Sequence, residues 1–140
     1  MVRFWCVVCF VVAVLSTPRV GAEETLITIA HTNDLHSHFR PDKGVLELGG
    51  VARIATVFDR IRDKNPNSIF LDGGDFTEGH IYYNIGAGRA SLQMMNLLGY
   101  DAVVVGNHDW YNGPRVLGDI LEETPPLFSL LGSNLKFPDQ

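Results

Sequence analysis

The sequence predicts an α/β domain built on a largely parallel sheet. Short apolar segments at 26–30, 69–71, 102–105 and 127–135 alternate with helix-patterned stretches, the order expected of βαβ units. The first three are apolar throughout rather than alternating, as in strands covered on both faces. Each of those three runs into a polar turn, "HTNDLH", "DGGD" or "GNHD", where a strand would hand the chain to a helix.

The first 22 residues stand apart from this pattern. Arg3 gives a basic start, Phe4 to Leu15 is apolar, and Val20-Gly21-Ala22 places small residues ahead of Glu23. These are the parts of a secretory signal peptide. The apolar run is short of the roughly 20 residues a bilayer span needs. The expectation is therefore export, to a periplasm or outside the cell, with no stable membrane span. Cys6 and Cys9 both fall in this segment. Residues 23–140 thus contain no disulfide and no thiolate ligand, and any metal there must be held by oxygen and imidazole nitrogen.

Leu26 to Ala30 is the first strand, rich in β-branched residues. The loop from Ser37 to Leu48 holds Pro41 and Gly44 and is expected to be exposed. In 49–65, Val51, Ile54, Phe58 and Ile61 fall at helical spacing, with Arg53, Asp59, Arg60 and Arg62 mostly opposite. Asn65-Pro66-Asn67 stops that helix. Ile69 to Leu71 is the second strand. In 89–100, Leu92, Met95 and Leu98 share a face, and Gly99 is placed to close the helix in the left-handed conformation. Ala102 to Val105 is the third strand. Pro114 to Glu123 forms a shorter helix with Pro114 in its first turn. Pro125-Pro126 ends it, and 127–135 reads as a fourth strand.

The formal net charge is −5, which argues against a nucleic-acid binder with its usual basic face. It leaves room for a phosphate-bearing small molecule, because bound cations can reverse the local field of an acidic protein.

Ligands of open α/β sheets collect beyond the carboxyl ends of the strands, where the polar turns lie. Asp34 and His36 are two apart, so extended backbone would aim both at one metal ion; equally, Asp34 could cap a turn and His36 stand in solvent. Asp75 follows Gly73 and Gly74, which allow close approach of backbone to a ligand. Asp72 competes for the same role, or braces the loop. Asn107 offers a neutral carbonyl oxygen to a cation. His108, its neighbour, would then face a substrate as a cationic stabiliser or general acid. His31, His38 and His80 are weaker candidates. Trp110, Tyr111, Tyr82 and Tyr83 read as loop-packing residues.

"HTNDLHSH", "FLDGGDF" and "VVVGNHDW", in this order and spacing, resemble the calcineurin-like metallophosphoesterases. The similarity is closest to the amino-terminal catalytic domain of the 5'-nucleotidase and UDP-sugar hydrolase branch, and it covers residues 25 to about 135. The resemblance implies a β-sandwich flanked by helices, of which this chain would supply the first βα units. It also implies two divalent ions, zinc or manganese first, with magnesium, calcium or cobalt able to substitute. Asp34 and His36 would hold one ion, Asp75 would bridge both, Asn107 would hold the other, and His108 would be the catalytic histidine. The expected activity is hydrolysis of a small-molecule phosphate ester, a nucleotide, by metal-activated water.

The pattern departs from the branch in one place. The family's histidine is usually oriented by an aspartate three positions later, where this chain has Tyr111. Asp109 or another residue must take that part, so Asp109 joins His108 as a catalytic candidate. The second ion has few ligands here, so residues 23–140 are expected to be the front part of a larger enzyme. Rival readings are a related hydrolase of cyclic nucleotides or sulfur-oxyanion conjugates, and a non-catalytic secreted binding protein.

Overall fold

The computed structural model describes residues 24–44 and 48–135; the signal-peptide pattern lies outside them. Four parallel strands form one sheet: β1 (Thr28–Thr32), β2 (Ser68–Asp72), β3 (Ala102–Val104) and β4 (Ser129–Leu131). Their order across the sheet is their order in the chain. Helices α1 (Val51–Lys64), α2 (Arg89–Leu98) and α3 (Pro114–Glu123) connect them. This is the α/β arrangement of strand and helix expected from the sequence. Pro114 opens α3, and Gly99 closes α2 at φ 69°.

A sheet wound steadily in one direction by right-handed crossovers carries its helices on one face. Burial follows that rule. Val103 and Phe70, on the helix side, are 0 % and 2 % exposed, whereas Ile29 and Leu131, on the other, are 60 % and 45 % exposed. The expectation that the strands are covered on both faces is therefore corrected: among the described residues the sheet is covered on one face only. The strands are apolar on both sides, but the same-handed windings bring every described helix to one of them.

The core forms where the predicted helix faces meet the sheet. Phe58 of α1 packs on Phe70 at 4.5 Å between ring centroids and meets Tyr100 edge-on at 5.3 Å. Leu92, Met95 and Leu98 of α2 are all buried beside them. Arg62, assigned by its spacing to the polar face of α1, instead ties the two helices together. Its Nη2 donates to the carbonyls of Leu98 (2.9 Å) and Gly99 (2.5 Å), and its guanidinium lies 4.1 Å from the centre of the Phe70 ring. It caps the carboxyl end of α2, where cations are favoured.

The loop that begins at Ser37 is not exposed throughout, as its composition led us to expect. Ser37 is completely buried; its Oγ donates to the Thr77 carbonyl and lies 2.7 Å from the Ser91 hydroxyl. Phe39 stacks on Tyr82 at 4.9 Å. These contacts pin the start of the loop, while residues 40–44 are exposed.

Candidate active site

The loops after β1 and β2 run side by side beyond the strand ends and continue the pairing of the sheet. The Asp34 N–H donates to the Gly74 carbonyl at 2.9 Å, the His36 N–H to the Asp75 carbonyl at 3.0 Å, and the Ser37 N–H to the Phe76 carbonyl at 3.1 Å. The price is local strain. Asp34, His36, Ser37 and Asp75 all have φ between 46° and 58°. Such backbone costs non-glycine residues on the order of 1–3 kcal/mol each, and it tends to gather at functional sites.

The result is a compact donor set. One ligand atom each from Asp34, His36 and Asp75 lie within 4.8 Å of one another. His36 Nε2 is 3.6 Å from Asp34 Oδ1, and its Nδ1 bonds the Glu78 carbonyl. That second contact fixes the ring, as outer partners of ligating histidines commonly do.

The loop after β3 is drawn in by two carboxylates. Asp75 Oδ1 accepts the His108 N–H at 2.9 Å. Asp109 is 4 % exposed and turns inward. Its Oδ2 accepts the N–H groups of Asp75 (2.9 Å) and Gly106 (2.8 Å), and its Oδ1 that of Thr77 (2.9 Å). Burial raises its pKa, against the lowering effect of these amide bonds. The carboxylate of Asp109 is thus spent on backbone, and a different acid stands at the ring of His108: Glu78 Oε2 lies 2.5 Å from His108 Nδ1. This hydrogen bond is the main cause of a raised His108 pKa; partial desolvation opposes it, and the negative charges of Asp75, Glu78 and Asp109 add to it. The His36 and His108 rings meet edge-on at 5.0 Å. His36, Glu78 and His108 form a second group whose ligand atoms also lie within 4.8 Å of one another.

Asn107 sits between Gly106 and His108 with its side chain exposed. Asp72 belongs to neither donor group. It is buried, accepts the Thr32 hydroxyl at 2.5 Å and the Gly74 N–H at 2.9 Å, and so braces the loop. Tyr100 completes the chain, its hydroxyl 2.5 Å from that of Thr32. Burial, the largest influence, raises the Asp72 pKa to about 6.

His31 lies in β1 and is exposed. His38 and His80 face each other at 4.8 Å, and His80 stacks on Tyr82 at 5.2 Å, off to one side. Tyr82 and Tyr83 pack the loops as expected, the latter accepting a hydrogen bond from Asn112 at 2.7 Å. Tyr111 does not; it is 69 % exposed. Glu78, whose carboxylate meets the His108 ring, is not among the residues that the sequence points to. Its only signal was an acid three positions after Asp75 in a polar loop, which is indistinguishable from a solvated charge.

The donor set fits a divalent cation: two carboxylates and an imidazole in reach of one point, with no sulfur. No helix among the described residues is long and apolar enough to cross a membrane.

Comparison with known proteins identifies the family of the fold. The mouse 5'-nucleotidase is 39 % identical over 127 residues, covering 85 % of this chain and 22 % of that protein. The trifunctional nucleotide phosphoesterase YfkN of Bacillus subtilis is 40 % identical over 95 residues, 68 % of this chain and 6 % of its own length. Among solved structures, the 5'-nucleotidase precursor of Thermus thermophilus aligns with TM-score 0.68 and 37 % identity, over 76 % of this chain and 22 % of the other. The NAD nucleotidase of Haemophilus influenzae aligns with TM-score 0.69 and 26 % identity over 76 % and 20 %. The chain spans about a fifth of the length of the nucleotidases it matches. The family model for calcineurin-like phosphoesterases matches residues 27–137, nearly all that follows the leader-like segment, and the chain belongs to that family.

Proposed function

We propose that this protein is an exported, two-metal-dependent phosphoester hydrolase of the 5'-nucleotidase type, acting on nucleotide phosphate esters. The observation that carries the reading is the convergence of Asp34, His36 and Asp75 within 4.8 Å at the ends of adjacent strands. The nucleotidase names of its relatives support the substrate class. Export rests on the signal-peptide pattern of residues 1–22.

In this reading Asp34, His36 and Asp75 would hold metal, and Asn107 would add a ligand to a second ion. When bound, a pair of divalent ions acidifies a water and offsets phosphate charge. His108 stabilises the charge that builds on the phosphoryl oxygens; its raised pKa keeps the cationic form populated to higher pH. Asp109 holds the loops of Asp75 and His108 against each other through backbone amides.

The test is turnover of nucleoside monophosphates by the full-length protein. Chelation should abolish phosphate release, and zinc or manganese should restore it. A metal-loaded protein that releases no phosphate from any nucleotide would remove this reading.

A further inference from the structure

We propose that Glu78 is the positioning residue of His108, supplied by the loop after β2 rather than by the histidine's own loop. The inference rests on the active-site reading above but is drawn from contacts of this chain alone. Glu78 Oε2 lies 2.5 Å from His108 Nδ1. An ionised carboxylate only accepts hydrogen bonds, so the proton in that contact sits on Nδ1. Nε2 is then the nitrogen left to face a substrate.

Two other acids near the ring are already committed. Asp109 is taken up by the backbone N–H groups of Asp75, Thr77 and Gly106. Asp75 Oδ1 accepts the His108 backbone N–H, not its ring. Glu78 itself is well held. Its carbonyl takes the Nδ1 of His36, and its neighbour Thr77 is buried, with its N–H on Asp109 and its hydroxyl donating to the His108 carbonyl at 3.1 Å. One residue therefore sets two imidazoles, His36 through its backbone and His108 through its side chain. Because the backbone contact survives any substitution, the two roles can be separated.

The experiment compares wild type, Glu78→Gln and Glu78→Ala in the full-length protein. In the metal-free state, at a pH high enough that the imidazole is neutral, long-range proton–nitrogen NMR of the His108 ring should show the remaining proton on Nδ1 in the wild type. In Glu78→Ala the proton should redistribute toward Nε2. With metal bound, both variants should lose about 10- to 100-fold in kcat, a part of the roughly 10²- to 10⁴-fold that a well-positioned acid–base side chain contributes. KM should stay within about twofold and metal content should be unchanged, as expected when a group acts mainly in the transition state. Unchanged His108 nitrogen shifts in Glu78→Ala would overturn the proposal. So would unaltered kcat, or a loss of kcat that merely tracks a loss of metal. If the wild type hydrolyses no phosphate ester, the functional reading falls, and the NMR arm still decides the role of Glu78.

Discussion

Asp109 Oδ2 accepts the backbone N–H of Asp75 at 2.9 Å, across 34 positions of sequence. Through this bond a buried acid from one loop holds a ligand-bearing residue of another. The same carboxylate serves Gly106 and Thr77, so its loss strands three amides at once. Asp109→Ala should lower stability by roughly 2–4 kcal/mol, since each buried donor left unpaired costs on the order of 1–3 kcal/mol before water relaxes the site. Asp109→Asn, which keeps one acceptor oxygen, should lose about half as much. Urea denaturation midpoints measure both, and equal values for wild type and Asp109→Ala would refute the clamp.

Gly79 tests the placement of His36. Its φ is 138°, and an added Cβ would lie 2.7 Å from His36 Cβ and 2.8 Å from Nδ1. The histidine must therefore move to admit a methyl group. Gly79→Ala should keep its helical circular dichroism and bind less metal per chain. Full metal occupancy, measured by plasma mass spectrometry, would show that the position of His36 does not matter to the ion.

Asp72 gives the protein a signed dependence on pH. Its folded pKa is raised to about 6 from 3.8, with burial as the main cause, the Thr32 and Gly74 bonds opposing it, and the Asp109 and Asp34 charges adding to it. Between these values the folded chain keeps a proton that the unfolded chain has released. This group's contribution to stability therefore falls as pH rises from about 4 to about 6, by on the order of 3 kcal/mol in total, and is then constant. Asp72→Asn should flatten that interval in a plot of urea midpoint against pH. A wild-type slope that survives the substitution would assign it elsewhere.

Arg62 joins α1 to α2 through the carbonyls of Leu98 and Gly99 and through the Phe70 ring. Arg62→Ala should cost about 1–2 kcal/mol, combining charge-assisted hydrogen bonds with a partly buried cation–π contact. Arg62→Lys should recover less than half, because an ammonium cannot bond two carbonyls and lie flat on a ring together. Thermal unfolding of the three proteins decides it; a lysine variant as stable as wild type would mean that charge alone suffices.

Much of this molecule was written in local chemistry. Apolar runs and helical spacings located the four strands and three α-helices of the described residues to within a few positions. Pro114 and Gly99 marked helix ends because their backbone preferences are their own and need no partner. The polar turns at the strand ends offer Asp34, His36, Asp75, Asn107, His108 and Asp109 as candidates by residue type and position alone. What the sequence left open were choices between equivalent groups. Asp72 and Asp75 are both acids in one turn; only the fold turns the first inward to Thr32 and leaves the second beside His36. Asp109 is adjacent to His108, yet three amide hydrogens claim it, and Glu78 from thirty positions away meets the imidazole. One-sided cover of the sheet likewise follows from the direction in which the strands wind, not from their composition. Local pattern reports what a residue can do with its neighbours in the chain. Which of several carboxylates meets a given donor depends on long-range packing, and that is settled only when the loops are brought together.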